Sequence, residues 1–141
     1  MGGNILWTGT DDIRTKGFVS GWWEGWEIGR FLLAVEILLS EKEKIGISDF
    51  PDLSKIDDIS KQKLLDFGRN HSKEERETYL ENVEFRNSLC SEEVREVILF
   101  GKEKSRDDLI LSLHKRHCPV DRIAKFAETD EEYVSKIIRC N

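Results

Sequence analysis

The chain has 141 residues, 35% charged and 38% hydrophobic, and its formal net charge of -6 comes from 28 acids against 22 bases. That length holds one domain, or one domain and an arm, and that balance describes a soluble, helix-rich chain rather than a disordered one. Acids and bases are mixed throughout, which argues against a broad nucleic-acid-binding face and against an acidic mimic of DNA.

Residues 1–16 are polar and rich in Gly, Thr and Asp, with Trp7 alone among small residues, and read as an N-terminal arm. Thr10 or Asp11 is the expected cap of the helix that follows. Next comes GFVSGWWEGWEIGRFLLAVEILL, Gly17 to Leu39, with three of the four tryptophans. Gly17, Gly21, Gly25 and Gly29 recur every four residues, which on an α-helix makes one shallow row. Each glycine inside a helix costs roughly 1 kcal/mol relative to Ala, so the row calls for compensation by close approach of another backbone. The block carries Glu24, Glu27, Arg30 and Glu36 and is not a continuous membrane span. Its apolar side chains cover more than one face, so a helix over Phe18–Ile45 is expected to be buried against a copy of itself or a partner; the alternatives are a flexible glycine-rich lead-in to an ordinary core helix from about Trp26, and a membrane-surface helix using the Trp cluster.

Glu41 to Lys44 read as a solvated last turn, Gly46 as a stop, and Ile47–Leu53 as loop. Ile56, Ile59, Leu64 and Phe67 form a helical stripe over Asp57–Phe67, closed by Gly68. Ser72 with Glu75 is a capping box opening one charged helix from Lys73 to about Leu89. Ser91 caps a short helix stopped by Gly101, and Ser105 with Asp108 is expected to open the next, which Cys118-Pro119 breaks. Val120–Ala127 is a short helix, and Thr129 with Glu132 is expected to cap Asp130–Ile138. With only two prolines and no alternating stretch, the chain is predicted to be all-α: a helical bundle with a long Gly/Trp-rich first helix and a small helix-turn-helix-like pair at its end. The predicted divisions are an arm (1–16), a helical region (17–104) and a C-terminal subdomain (105–141).

The tail DDLILSLHKRHCPVDRIAKFAETDEEYVSKII, from Asp107, sets Ile123-Ala124, Ala127, Val134 and Ile137-Ile138 at the spacing of a helix-turn-helix pair. This tail resembles the C-terminal segment of Rpn-family proteins, the recombination-promoting nuclease or putative transposase group. GWWEGWEIGR, Gly21–Arg30, is similar to the glycine-repeat helix that precedes that tail in the family. Here residues 45–105 separate the two parts, and Glu128 stands at the turn where the family has Gly. The family's nuclease core needs an acid two residues before a Lys, and no Lys of this chain has one, so the resemblance carries no nuclease activity. It implies a setting in bacterial or phage conflict, in which a relative without a nuclease core regulates or inhibits a nuclease or another defence component.

Other chemistries have little support. The helix after the turn starts Asp130, Glu131, Glu132, the wrong sign for phosphates. Lys115, Arg116, Arg122, Lys125 and Lys136 are the candidate nucleic-acid contacts of an alternative reading, a small helix-turn-helix regulator. His114, His117, Cys118 and Cys140 could supply metal ligands, but Pro119 ends the helix that would align them, so no metal or other cofactor is expected. Phosphate loop, nucleophile elbow and HExxH are absent, and Asp57-Asp58 and Asp107-Asp108 read as helix-start acids. Cys90, Cys118 and Cys140 contain no CxxC pair, and no secretory signal opens the sequence, so reduced thiols and a cytoplasmic location are expected. The reading that results is a non-enzymatic protein-protein interaction protein that forms a homo-oligomer. Its interface is predicted at Gly17, Gly21, Trp22, Trp23, Gly25, Trp26 and Gly29.

Overall fold

The computed structural model describes residues 7–40 and 53–141. Helix α1 runs from Gly9 to Ser40 without interruption. It is followed by a 3-10 turn at Leu53–Lys55, then α2 (Asp58–Asn70), α3 (Lys73–Leu80), α4 (Val83–Ser88), α5 (Glu92–Ile98), α6 (Lys102–Lys115), α7 (Val120–Phe126) and α8 (Glu131–Arg139). The fold is all-α, and no strand occurs among the described residues. The expected last turn at 41–45, the stop at Gly46 and the loop through residue 52 lie outside the described residues, as do residues 1–6 of the predicted arm.

The first correction is at the start of α1. Residues 9–16 belong to the helix, not to an arm. The cap is Thr8, two or three residues earlier than expected: its Oγ1 accepts from the Asp11 amide at 3.2 Å, and Asp11 Oδ2 accepts from the Thr8 amide at 2.8 Å. This reciprocal pair satisfies two donors that the first turn leaves without helical partners. It also holds the Asp11 carboxyl below the usual carboxylate range.

The chain forms two compact units. The middle unit, Glu24–Gly101, is built on the second half of α1. Phe31, Ala34 and Val35 of α1 are buried with Leu64 and Phe67 of α2, Leu80 of α3, and Val94 and Ile98 of α5. Gly68, expected to stop α2, lies inside it. A methyl group there would come within 2.6 Å of Val35 Cγ1 and 2.9 Å of Leu39 Cδ1. The glycine lets α2 and α1 approach to a distance that any side chain would prevent.

The expected single helix from Lys73 to Leu89 is two helices. The Ser72–Glu75 capping box forms at α3 with both of its hydrogen bonds. The break falls at Glu81-Asn82, where Asn82 Oδ1 accepts from the Phe85 amide at 3.0 Å and caps α4. The turn buries Arg86, which donates to the Leu80 carbonyl at 2.6 Å and to Glu27 Oε2 at 3.1 Å. A guanidinium that fills a helix end and reaches a carboxylate replaces the two bonds a continuous helix would make there. Asp57 caps α2 and joins it to α5: it accepts from the Ser60 amide at 2.7 Å and from the Ser91 hydroxyl at 3.2 Å. The Ser91 amide in turn donates to the buried Ser60 Oγ at 3.0 Å.

The second unit joins Met1–Trp23 to Lys102–Asn141, so the first half of α1 belongs with the tail rather than with residues 24–101. Leu109, Ile110 and Leu113 of α6 are buried with Ile123 and Ala124 of α7 and Val134 of α8. Phe18, Val19, Trp22 and Trp23 of α1 pack on this core. Helix α6 begins at Lys102, after Gly101 at φ 93°, so Ser105 is a buried residue within it and not a cap. Helix α8 is capped by Asp130, one residue after the expected Thr129, with Oδ1 accepting from the Tyr133 amide at 2.7 Å.

Helices α6 and α7 end alike. His117 N–H donates to the His114 carbonyl (2.9 Å) and Cys118 N–H to the Leu113 carbonyl (3.1 Å). Glu128 N–H donates to Lys125 (3.3 Å) and Thr129 N–H to Ala124 (2.9 Å). These are the two bonds of a Schellman motif, whose left-handed position is usually Gly. Here it is filled by His117 (φ 65°) and Glu128 (φ 56°). The helix-turn-helix-like pair therefore forms with its tight turn intact and without the glycine that favours it.

Candidate interaction face

Gly17, Gly21, Gly25 and Gly29 lie in one row along α1, as their spacing dictates. All four are exposed. A methyl group added to any of them would meet no described atom within 4 Å, its chain neighbours and own helix backbone aside. No described part of the fold uses the close approach that these glycines permit. One turn before Gly17, on the same row, stands Ile13 with 75% of its surface exposed. The sequence reading missed Ile13, although its four-residue offset from Gly17 placed it on the row.

The tryptophans predicted for this interface are divided. Trp22 and Trp23 pack on the core of the tail unit. The Trp22 ring lies 6.0 Å from that of Phe18, and its indole Nε1 is buried without a hydrogen-bond partner among the described residues. Lys102 Nζ stands 5.5 Å from the Trp23 ring. Both rings are partly buried against the chain's own core, so much of their apolar area already stabilises the tail unit. Trp26 is half-buried, with the Arg30 guanidinium 5.9 Å from its ring, and Arg30 Nε donates to the Ile98 carbonyl at 2.9 Å. Along α1 the four glycines are exposed, with exposed Ile13 one turn before them and half-buried Trp26 between Gly25 and Gly29 in sequence.

The candidate nucleic-acid contacts do not form one free basic set. Lys115, Lys125 and Lys136 are exposed. Arg116 lies 4.3 Å over the Phe18 ring, and Arg122 is paired with Asp12 at 3.6 Å and Asp121 at 3.9 Å. The exposed start of α8 is Asp130, Glu131 and Glu132, and the Asp130 carboxylate is held by its capping bond. On the same helix Tyr133 donates to Asp107 of α6, a bond that raises the tyrosine's pKa.

No group of three metal-ligating side chains occurs among the described residues. Cys118 is buried, and burial pushes its thiol up to about 11; the same effect takes Cys90 to about 11. Thiols held in that range are protonated at neutral pH and are poor nucleophiles or metal ligands. Cys140 is exposed near the end of the chain. No helix among the described residues is long and apolar enough to cross a membrane. Set against known protein families, curated proteins and solved structures, the chain matches none.

Proposed function

We propose that this protein acts by contact rather than by catalysis, and that its first contact is with a second copy of itself through the glycine face of α1. The observation that carries this reading is the open row. Four interior glycines cost roughly 4 kcal/mol together relative to alanine. No described atom packs on them, so the described part of the fold does not offset that cost. A second helix laid along the row would, by backbone-to-backbone contact that larger side chains forbid.

The row suits an antiparallel partner. With a two-fold axis between Gly21 and Gly25, Gly17 would face Gly29, and the exposed Ile13 would face Leu33 of the second copy. Antiparallel helices also place opposite dipole ends together. The biological role follows only from the resemblance of the glycine repeat and the tail to Rpn-family proteins. On that basis the assembly regulates or inhibits a nuclease or another defence component in a bacterial or phage conflict.

The test is absolute mass by light scattering after size exclusion, across a range of concentrations, for the native chain and for Gly25→Leu. A dimer that Gly25→Leu converts to monomer supports the reading. Helix content by circular dichroism should stay unchanged, because the added side chain points into open space. A native chain that is monomeric at every concentration overturns the reading, and so does a dimer indifferent to Gly25→Leu.

A second reading, a small nucleic-acid-binding regulator, is favoured by the α7–turn–α8 geometry with its left-handed residue at Glu128. The acidic start of α8 opposes it. Fluorescence anisotropy with duplex DNA at low salt decides: salt-sensitive binding lost in Lys115→Glu with Lys125→Glu would support it, and no binding would remove it.

A further inference from the structure

We draw no further inference here: the strongest candidate, the surface patch at α3 where half-exposed Tyr79 adjoins the rings of Phe85 and His71, carries nothing because nothing in the structure shows what covers it.

Discussion

Gly68 and the row on α1 use the same residue type in opposite ways. At Gly68 the missing side chain is filled from outside by Val35 and Leu39, and the glycine is what lets α2 lie close to α1. Along the row the missing side chains leave a channel that no described atom enters. Glu128 and His117 complete the contrast, because there the backbone takes a conformation that favours glycine and the chain supplies other residues. On the row glycine is thus present where the described fold does not call for it, and at His117 and Glu128 it is absent where the backbone favours it. On the proposed reading, the four costly glycines of the open row are kept for a partner helix.

The largest effect that sharpens this contrast is expected at Gly68. In Gly68→Leu the new side chain has no space against Val35 and Leu39, and forcing it in costs at least ~3 kcal/mol, the upper range for overpacking a core. Thermal unfolding followed by circular dichroism should show a large fall in Tm or loss of the folded state. A variant as stable as the native chain would mean that α1 and α2 separate readily, and the opposition between filled and open glycines would fail. Next comes Arg86→Met, which keeps the length of the side chain but leaves the buried Leu80 carbonyl without its donor. A loss of about 1–3 kcal/mol in urea unfolding is expected, the cost of stranding a buried acceptor.

How much of this was legible in the sequence depends on whether the signal was local. The helix class, the Ser72–Glu75 box and the Ser91 cap are short-range patterns, and the structure forms them. The α3–α4 break was missed because the residues around Glu81-Asn82 continue a charged helical run; what ends it is a buried Arg86 reaching Glu27, distant in sequence. Gly68 looked like a helix stop because glycine is common there, and only the tertiary neighbours Val35 and Leu39 show it to be a close approach. Ser105 had the spacing of a cap but lies inside α6, whose start follows Gly101. For the candidate face, the row itself was legible from its period of four. The share of Trp22 and Trp23 in the tail's core was not, because it depends on α1 being long enough to serve two units.

The left-handed turns give an intermediate effect of opposite sign. A non-glycine residue in the left-handed region costs about 1–2 kcal/mol. Glu128→Gly should therefore stabilise the chain by roughly 1 kcal/mol, less the entropy that glycine adds to the unfolded chain. Urea midpoints measure this, and a destabilised variant would show that the Glu128 side chain makes a contact worth more than the strain.

Alanine scanning of the row gives a smaller and more telling result. Each of Gly17→Ala, Gly21→Ala, Gly25→Ala and Gly29→Ala should raise the stability of the single chain by roughly 0.5–1 kcal/mol, since helix propensity improves and no neighbour is displaced. If the row is an interface, the same changes weaken association. Stability measured well below the association range and mass measured well above it would then move in opposite directions. If the row has no partner, stability rises and mass stays put, and the contrast with Gly68 reduces to an untuned surface.

The smallest effect concerns pH and the Asp57 clamp, which lies in the same unit as Gly68. The Ser60 amide is the main cause that holds the Asp57 carboxyl below its ordinary value of 3.8; the Ser60 and Ser91 hydroxyls add to it. A carboxyl whose pKa is depressed by folding contributes stability that is fully present above its unfolded value. That contribution is lost as pH falls through the folded one. Asp57→Asn keeps a capping oxygen but removes the charge, so it should be less stable than the native chain at pH 7, and the gap should narrow below about pH 3.8. Paired urea titrations at pH 7 and pH 3 read the change in gap and cancel the other acid-sensitive caps, Asp11 and Glu75, which both chains share. A gap that stays constant would assign the native advantage to hydrogen-bond geometry and not to charge.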